Sequence, residues 1–177
     1  MYNFNYQRAS SLDDAVAKLG AASDGTLLAG GQTLIPTLKQ RLASHSDVID
    51  LSGIGDLRGI SADGGGVTVG ALTRHAEVAA SADVPAALAA LADGIGDPQV
   101  RNCGTLGGSI ANADPAADYP AAVLGLGATV NTNLRSIAAD DFFTGLFETA
   151  LNDGEIITSV TFPTPQKAGY AKFPNPA

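Results

Sequence analysis

The residues best suited to chemistry in this sequence are two clusters of glycine with small hydroxyl or amide neighbours. One is Gly30-Gly31 followed by Gln32 and Thr33; the other is Gly104 with Gly107-Gly108, beside Thr105 and Ser109. Lacking a Cβ, glycine lets a ligand come within reach of several backbone N–H groups at once, and at a helix start those groups carry partial positive charge. A diphosphate suits such a cradle. The same pattern also describes two ordinary turns with left-handed glycines, and the residues alone leave both readings open. Two nucleotide motifs are excluded by spacing. No G-x-x-x-x-G-K-[ST] occurs, and "GLGATV" at 125–130 lacks the third glycine of G-x-G-x-x-G and follows a predicted helix rather than a strand.

Other reactive side chains are few. His45 and His75 are the only histidines and are expected to face solvent, so neither a metal site nor a catalytic triad is sought. Cys103 is the only cysteine, which rules out an internal disulfide and a cysteine-built zinc or iron–sulfur site. It reads as a small packed side chain rather than a nucleophile. Asp114, before Pro115, reads as a turn or cap residue, and Arg101 as one half of a structural ion pair near the second glycine cluster.

The 177 residues carry a formal net charge of -8, with 45% hydrophobic and 16% charged residues, enough to bury a core in one domain or two small ones. No Lys/Arg run could track phosphates along a strand of nucleic acid or bind an anionic bilayer, so neither partner is expected. An anionic ligand would have to be met by backbone dipoles. The first ten residues lack the apolar core of a signal peptide, and no stretch of about 18 apolar residues occurs. No membrane insertion is expected, and the cytoplasm is the default location.

The elements that must position the glycines follow from periodicity. Leu12, Ala15, Val16 and Leu19 recur at helical spacing behind Ser11, with Asp14 in a capping-box position. Leu27, Leu28 and Ala29 form an apolar strand that breaks at Gly30-Gly31, and Leu34, Leu38 and Leu42 continue as a helix with Pro36 in its first turn. "DVIDL" is a second strand. Beyond "GIGDLRGI" the texture changes: "GGGVTVGAL" and "GEIITSVTFPTP" read as strands, "TRHAEVAAS", "VPAALAALADG" and "DYPAAVLGLG" as helices. A boundary is placed at residue 57, giving a small βαβ unit (1–57) and a larger α+β unit (58–177).

Four segments in order, "LLAGGQTLIPTLK", "IGDPQVRNCGTLGGSIANADPAADYPAAVLGLGA", "ADDFFTG" and "LNDGEIITSV", closely resemble the FAD-binding medium subunit of the molybdenum-containing hydroxylases. That family includes the flavoprotein subunits of carbon monoxide dehydrogenase and the flavin region of xanthine dehydrogenase. The resemblance implies an α+β, two-subdomain FAD-binding fold of the p-cresol methylhydroxylase type. It comprises a small βαβ unit and a larger unit with a mainly antiparallel sheet, the flavin lying between them. It places Ala29, Gly30, Gly31, Gln32 and Thr33, and Thr105, Leu106, Gly107, Gly108 and Ser109, on the FAD diphosphate, in agreement with the charge argument. It further implies that Asp118 accepts hydrogen bonds from FAD hydroxyls, although the residue also reads as a helix N-cap. Ile156 and Ile157 match positions near the isoalloxazine ring and Lys172 a lysine near the flavin, although the first two also read as strand core and the third as a surface lysine.

By the same resemblance, FAD is bound non-covalently and carries the redox chemistry. Electrons are expected to leave a molybdenum cofactor on a large partner subunit, pass two 2Fe–2S clusters on a small partner subunit, and reach an external acceptor through this FAD. No metal ligand is expected on this chain. The alternative is a stand-alone flavin oxidase of the same fold with its own small-molecule substrate. Relatives are expected to run on past "GYAKFPNPA" into a further domain of about a hundred residues. Its absence here predicts exposed apolar surface around Ile156, Ile157 and Phe162 and weak retention of FAD.

Overall fold

The computed structural model describes residues 1–174. Strands β1 (Asn5–Arg8), β2 (Gly25–Leu28) and β3 (Asp47–Asp50) form a parallel sheet in the order β1-β3-β2. Helices α1 (Leu12–Ala21) and α2 (Leu34–Lys39) occupy the two connections. The central strand β3 is buried along its whole length, as befits a parallel strand flanked on both edges and covered by a helix. At the start of α1 the Ser11 hydroxyl accepts the Asp14 N–H at 3.1 Å. The Asp14 carboxylate reaches one residue further back than a capping box requires, to the Ser10 N–H at 2.9 Å, and pairs with Lys18 one turn on. Ala15 anchors the buried face of α1, with Leu12, Val16 and Leu19 packed around it.

Helix α2 is shorter than its leucine spacing predicts. Arg41 adopts a left-handed conformation (φ 60°), its N–H bonds the Leu38 carbonyl, and the Leu42 N–H bonds the Thr37 carbonyl. This is a Schellman ending, and it throws Leu42 out to 74% exposure.

The following part of the chain supplies β4 (Ile60–Ala62), β5 (Gly66–Gly70), β6 (Thr129–Thr132), β7 (Ser136–Ala138), the small hairpin β8 (Phe143–Gly145) and β9 (Glu148–Thr149), and β10 (Ile157–Pro163). Five of them make an antiparallel sheet in the order β4-β5-β10-β6-β7. Burial alternates along β5: Val67 and Val69 point inward with Val130, Val160 and Phe162. The opposite face is a polar ladder, with Thr68 and Thr161 hydroxyls 3.0 Å apart and the Asn131 amide donating to Ser159 and Thr161. Helices α3 (His75–Ala80), α4 (Ala86–Asp93), α5 (Pro98–Arg101), α6 (Leu106–Asn112), α7 (Tyr119–Gly125) and α8 (Ala139–Phe142) accompany this sheet. Val78, Leu88, Leu91, Ile110, Val123 and Phe142 close its apolar face into the main core. The architecture is α+β.

A second core joins the two sheets: Ile49 and Leu51 behind β3 pack with Leu57, Leu72 and Ile156. Ile156 is therefore 2% exposed, and Ile157 and Phe162 are buried as well. The apolar surface expected around these three residues is absent because the seam and the main core already cover it. No helix among the described residues is long and apolar enough to cross a membrane.

Just before β10, Glu155 lies buried in the turn that delivers Ile156 and Ile157. Arg135 grips it with Nε at 3.0 Å and Nη2 at 3.1 Å, Thr132 donates at 2.7 Å, and the Asn152 N–H and side-chain amide each donate at 2.9 Å. These bonds, Arg135's first, hold the carboxyl down at about 2 against the opposing effect of burial. A depressed carboxyl stabilises the fold above its unfolded value of 4.5 and loses that contribution as pH falls toward about 2. Glu155→Gln should lower the melting temperature at neutral pH while flattening its decline across that acid window. Thermal unfolding followed by circular dichroism between pH 7 and 2 checks this.

Candidate functional site

The first glycine cluster sits where β2 hands over to α2. Ala29 and Gly30 bend away from the end of the strand, Gly31 turns with φ 71°, and Gln32 and Thr33 lead into the helix. Among the described residues, the backbone N–H groups of Gly30, Gly31, Gln32 and Thr33 meet no acceptor. The carbonyls of Gly30 and Thr33 are occupied instead, by the Gln32 side-chain amide at 3.1 Å and the Thr37 hydroxyl at 2.9 Å. Four consecutive free donors on a strand-turn-helix corner make a concavity of partial positive charge.

The second cluster opens α6 and is built differently. Thr105 is its N-cap, accepting the Gly108 N–H on Oγ1 at 3.2 Å. The Leu106 N–H is taken by the Thr73 carbonyl at 3.1 Å, that of Gly107 by the Ala71 carbonyl at 2.8 Å, and that of Ser109 by the Thr105 carbonyl at 3.1 Å. These amides are committed within the protein. Gly107 is needed for that docking, since a Cβ there would fall 2.6 Å from the Ala71 Cβ and 2.8 Å from its carbonyl oxygen. At Gly108 a Cβ would meet only the Thr105 hydroxyl and the Ala29 methyl.

Both clusters face one cleft of about 650 Å³ between the two sheets. The loops that frame it touch at Gly30, where a Cβ would collide with the Cys103 carbonyl and lie 2.7 Å from the Gly104 Cα. Of the residues singled out from the sequence, Ala29, Gly30, Gly31, Gln32, Thr33, Thr105, Gly107, Gly108, Ser109, Ile156 and Ile157 line the cleft. Leu106 points into the main core. Asp118 and Lys172 stand outside the lining, bonded to each other at 3.0 Å. Asp118 holds the N-cap position of α7 without capping it, and its other oxygen accepts from the Tyr170 hydroxyl. Lys172 also donates to the Gly94 carbonyl at 2.8 Å. Asp114 makes the expected turn, accepting the Ala116 N–H at 2.8 Å, and Arg101 pairs with Asp93 at 3.8 Å.

Two expectations are corrected. His75 does not face solvent: it is buried, lines the cleft and lies with its ring 5.3 Å from that of Tyr119. Its burial follows from opening α3 one turn ahead of the buried Val78, on the same helix face. Cys103 is exposed rather than packed, because its carbonyl, not its side chain, faces Gly30. The cleft wall also carries apolar side chains, Leu27, Leu51, Leu72, Ile95 and Val100, beside the polar Asn112, Asp114 and Glu155. Nothing in the sequence context of the apolar ones separates them from ordinary core.

Residues 2–165 match the family described as the FAD binding domain in molybdopterin dehydrogenase. The chain belongs to that family. It is 41% identical to the carbon monoxide dehydrogenase medium chain of Afipia carboxidovorans over 96% of its own length and 62% of the relative's. With the glyceraldehyde dehydrogenase medium chain of Sulfolobus acidocaldarius it shares 40% identity over 90% and 59%. Among solved structures, quinoline 2-oxidoreductase from Pseudomonas putida 86 superposes with a TM-score of 0.89 at 34% identity, covering 93% of this chain and 60% of that one. The chain thus spans about three fifths of the length of the relatives it matches. Within this FAD-binding family the two glycine motifs acquire distinct physical roles: the first carries open donors, and the second carries the wall they face.

That division separates two substitutions. Gly107→Val should destabilise the fold by about 1–3 kcal/mol through overpacking against backbone. Gly108→Val, which displaces only the Thr105 hydroxyl and the Ala29 methyl, should act mainly on the cleft and weaken FAD binding by about tenfold or more. Urea unfolding and FAD titration of both variants make the comparison.

Proposed function

We propose that this chain binds FAD non-covalently in the cleft and serves as the electron-exit component of a molybdenum hydroxylase. In this reading it receives electrons from iron–sulfur clusters on a small partner subunit, which are fed by a molybdenum cofactor on a large one, and passes them to an external acceptor. The observation that carries the reading is the run of four unengaged N–H groups at Gly30–Thr33, facing a cleft in a chain of net charge -8. Such a surface favours a diphosphate over a cationic or purely apolar ligand. The groups needed to hold FAD are present: donors for the diphosphate, the Ser109 and Thr105 side chains on the facing wall, and half-buried Leu27, Ile95 and Val100 as apolar surface for a flat ring, with the buried Ile156 and Ile157 behind the cleft wall.

When bound, FAD supplies the group that accepts and releases electrons. The chain's own contribution is positional. Gly30 to Thr33 orient the diphosphate, Gly108 and Ser109 limit its depth, and the Glu155–Arg135 pair fixes the turn that sets Ile156 and Ile157 behind the cleft wall. Asp118 and Lys172 act in this reading through the Tyr170 segment that they tie beside α7. The relatives' names fit a component shared among hydroxylases of different substrates: carbon monoxide dehydrogenase, glyceraldehyde dehydrogenase and nicotine 6-hydroxylase each contain a medium chain or subunit of this kind.

Titration of FAD into the protein, followed by quenching of flavin fluorescence, should give saturable binding, and acid precipitation should release the flavin into the supernatant. Substrate should reduce that flavin only when the iron–sulfur and molybdenum subunits are added. Reduction by an alcohol or amine with this chain alone would instead establish the flavin oxidase reading.

A further inference from the structure

Among the described residues, the buried side-chain atoms left without a hydrogen-bond partner are His75 Nδ1 and the Tyr119 hydroxyl, and their rings lie against each other, 5.3 Å apart and tilted by 49°. Unpaired polar groups are rare in protein interiors and costly. Two in one contact mark a place where the protein does not complete its own bonding. His75 is in addition part of the cleft wall. Its backbone is fixed by the bond from its N–H to the Gly104 carbonyl at 3.0 Å.

Burial holds the imidazole's pKa down near 4, with the Asp118 charge opposing weakly, so the ring is neutral at physiological pH. A neutral imidazole carries one N–H donor and one acceptor. The Tyr119 hydroxyl can donate or accept, so nothing around the sealed Nδ1 places the proton, and the atom that can offer a donor to the cleft, in the Nε2–H tautomer, is Nε2. That atom lies at Gly104, where a Cβ would fall 2.5 Å from Nε2 and 2.8 Å from Cδ2. Only glycine leaves the imidazole edge its place on the wall. No described residue accepts a hydrogen bond from Nε2. The adjoining wall carries Val100, whose carbonyl takes the Gly104 N–H at 2.7 Å, and Ile95, an apolar setting suited to a flat ring rather than a phosphate.

We propose that His75 is a ligand-contacting residue of the cleft, donating from Nε2–H to a neutral acceptor, a carbonyl oxygen or ring nitrogen, on a flat heterocycle. This rests on the reading of the cleft as an FAD site, and FAD offers two such rings, adenine and isoalloxazine. Side-chain ¹⁵N NMR of the full chain tests it directly, because the sequence contains only two histidines. The Nε2–H tautomer is expected at His75, with its resonance moving on addition of FAD while that of His45 stays. A matching shift with ADP would assign the contact to adenine, and one with riboflavin to isoalloxazine. His75→Leu should weaken FAD binding about tenfold, whereas His75→Gln, which retains an N–H at the reach of Nε2, should stay within about threefold of the unmodified protein. FAD binding that leaves the His75 resonance unmoved, an Nδ1–H tautomer, or a folded His75→Leu protein of undiminished affinity would each overturn the proposal. If His75→Leu does not fold, the NMR arm decides. Failure of the unmodified protein to bind FAD would instead overturn the flavin reading and this proposal with it.

Discussion

Gly30 meets the Cys103–Gly104 peptide with no room for a side chain between them, and the rest of the cleft depends on that approach. It brings the end of β2 against the segment that leads into α6, so the open amides of Gly30–Thr33 face Gly108 and Ser109 across a narrow gap. The gap cannot collapse, because α6 is tied from behind by the Ala71 and Thr73 carbonyls. Nor can it open freely, because Leu72 and Ile156 share a core with Ile49 and Leu51 on the other side of the seam. Backbone contact, backbone hydrogen bonds and apolar packing therefore fix one width.

Electrostatics then restrict what that width can hold. No Lys or Arg lines the cleft among the described residues, and its acidic members are already engaged. Glu155 is neutralised by Arg135, and Asp114 spends one oxygen on the Ala116 N–H. The positive character of the site comes from peptide dipoles alone. Unlike a lysine, those dipoles are fixed in direction and cost no side-chain entropy to order, so the site discriminates by geometry as well as by sign. An acidic chain can in this way present a local anion site without a basic patch that would attract nucleic acid or membrane.

Much of this frame was legible in the sequence where local chemistry and tertiary packing agree. Ser11 and Asp14 mark the start of α1, and the apolar run ending in Gly30-Gly31 marks β2 and its turn. The alternation of Val67 and Val69 marks β5. Other parts were hidden by conflicts between levels. β1, "NYQR", has no apolar face and exists because β3 offers it a parallel edge. α6, "LGGSIAN", combines residues of poor helix propensity and is held by its Thr105 cap and by docking on Ala71, neither visible in composition. Leu42 satisfies the helical spacing, yet the chain reverses at Arg41 just before it. His75 gives no outward sign of burial, because a histidine opening a short helix is as compatible with solvent as with a cleft.

The two glycine motifs show where the reading of composition stops. Gly30-Gly31 and Gly107-Gly108 look alike as text, each flanked by small polar residues, and a ligand-binding role can be assigned to both on the same grounds. In three dimensions a glycine answers to whichever atom comes closest. At Gly107 that atom belongs to Ala71, and at Gly30 to Cys103, so both serve chain-to-chain contact. Gly108 and the N–H groups of residues 30–33 are left to the cleft. The arrangement is coherent because the tightly packed glycines hold the open donors at a fixed distance. Those donors sit on half-buried or exposed residues, open to water, and in the proposed function a diphosphate would take the place of that water. In that reading the packed second motif holds in place the wall that the first motif's open donors face.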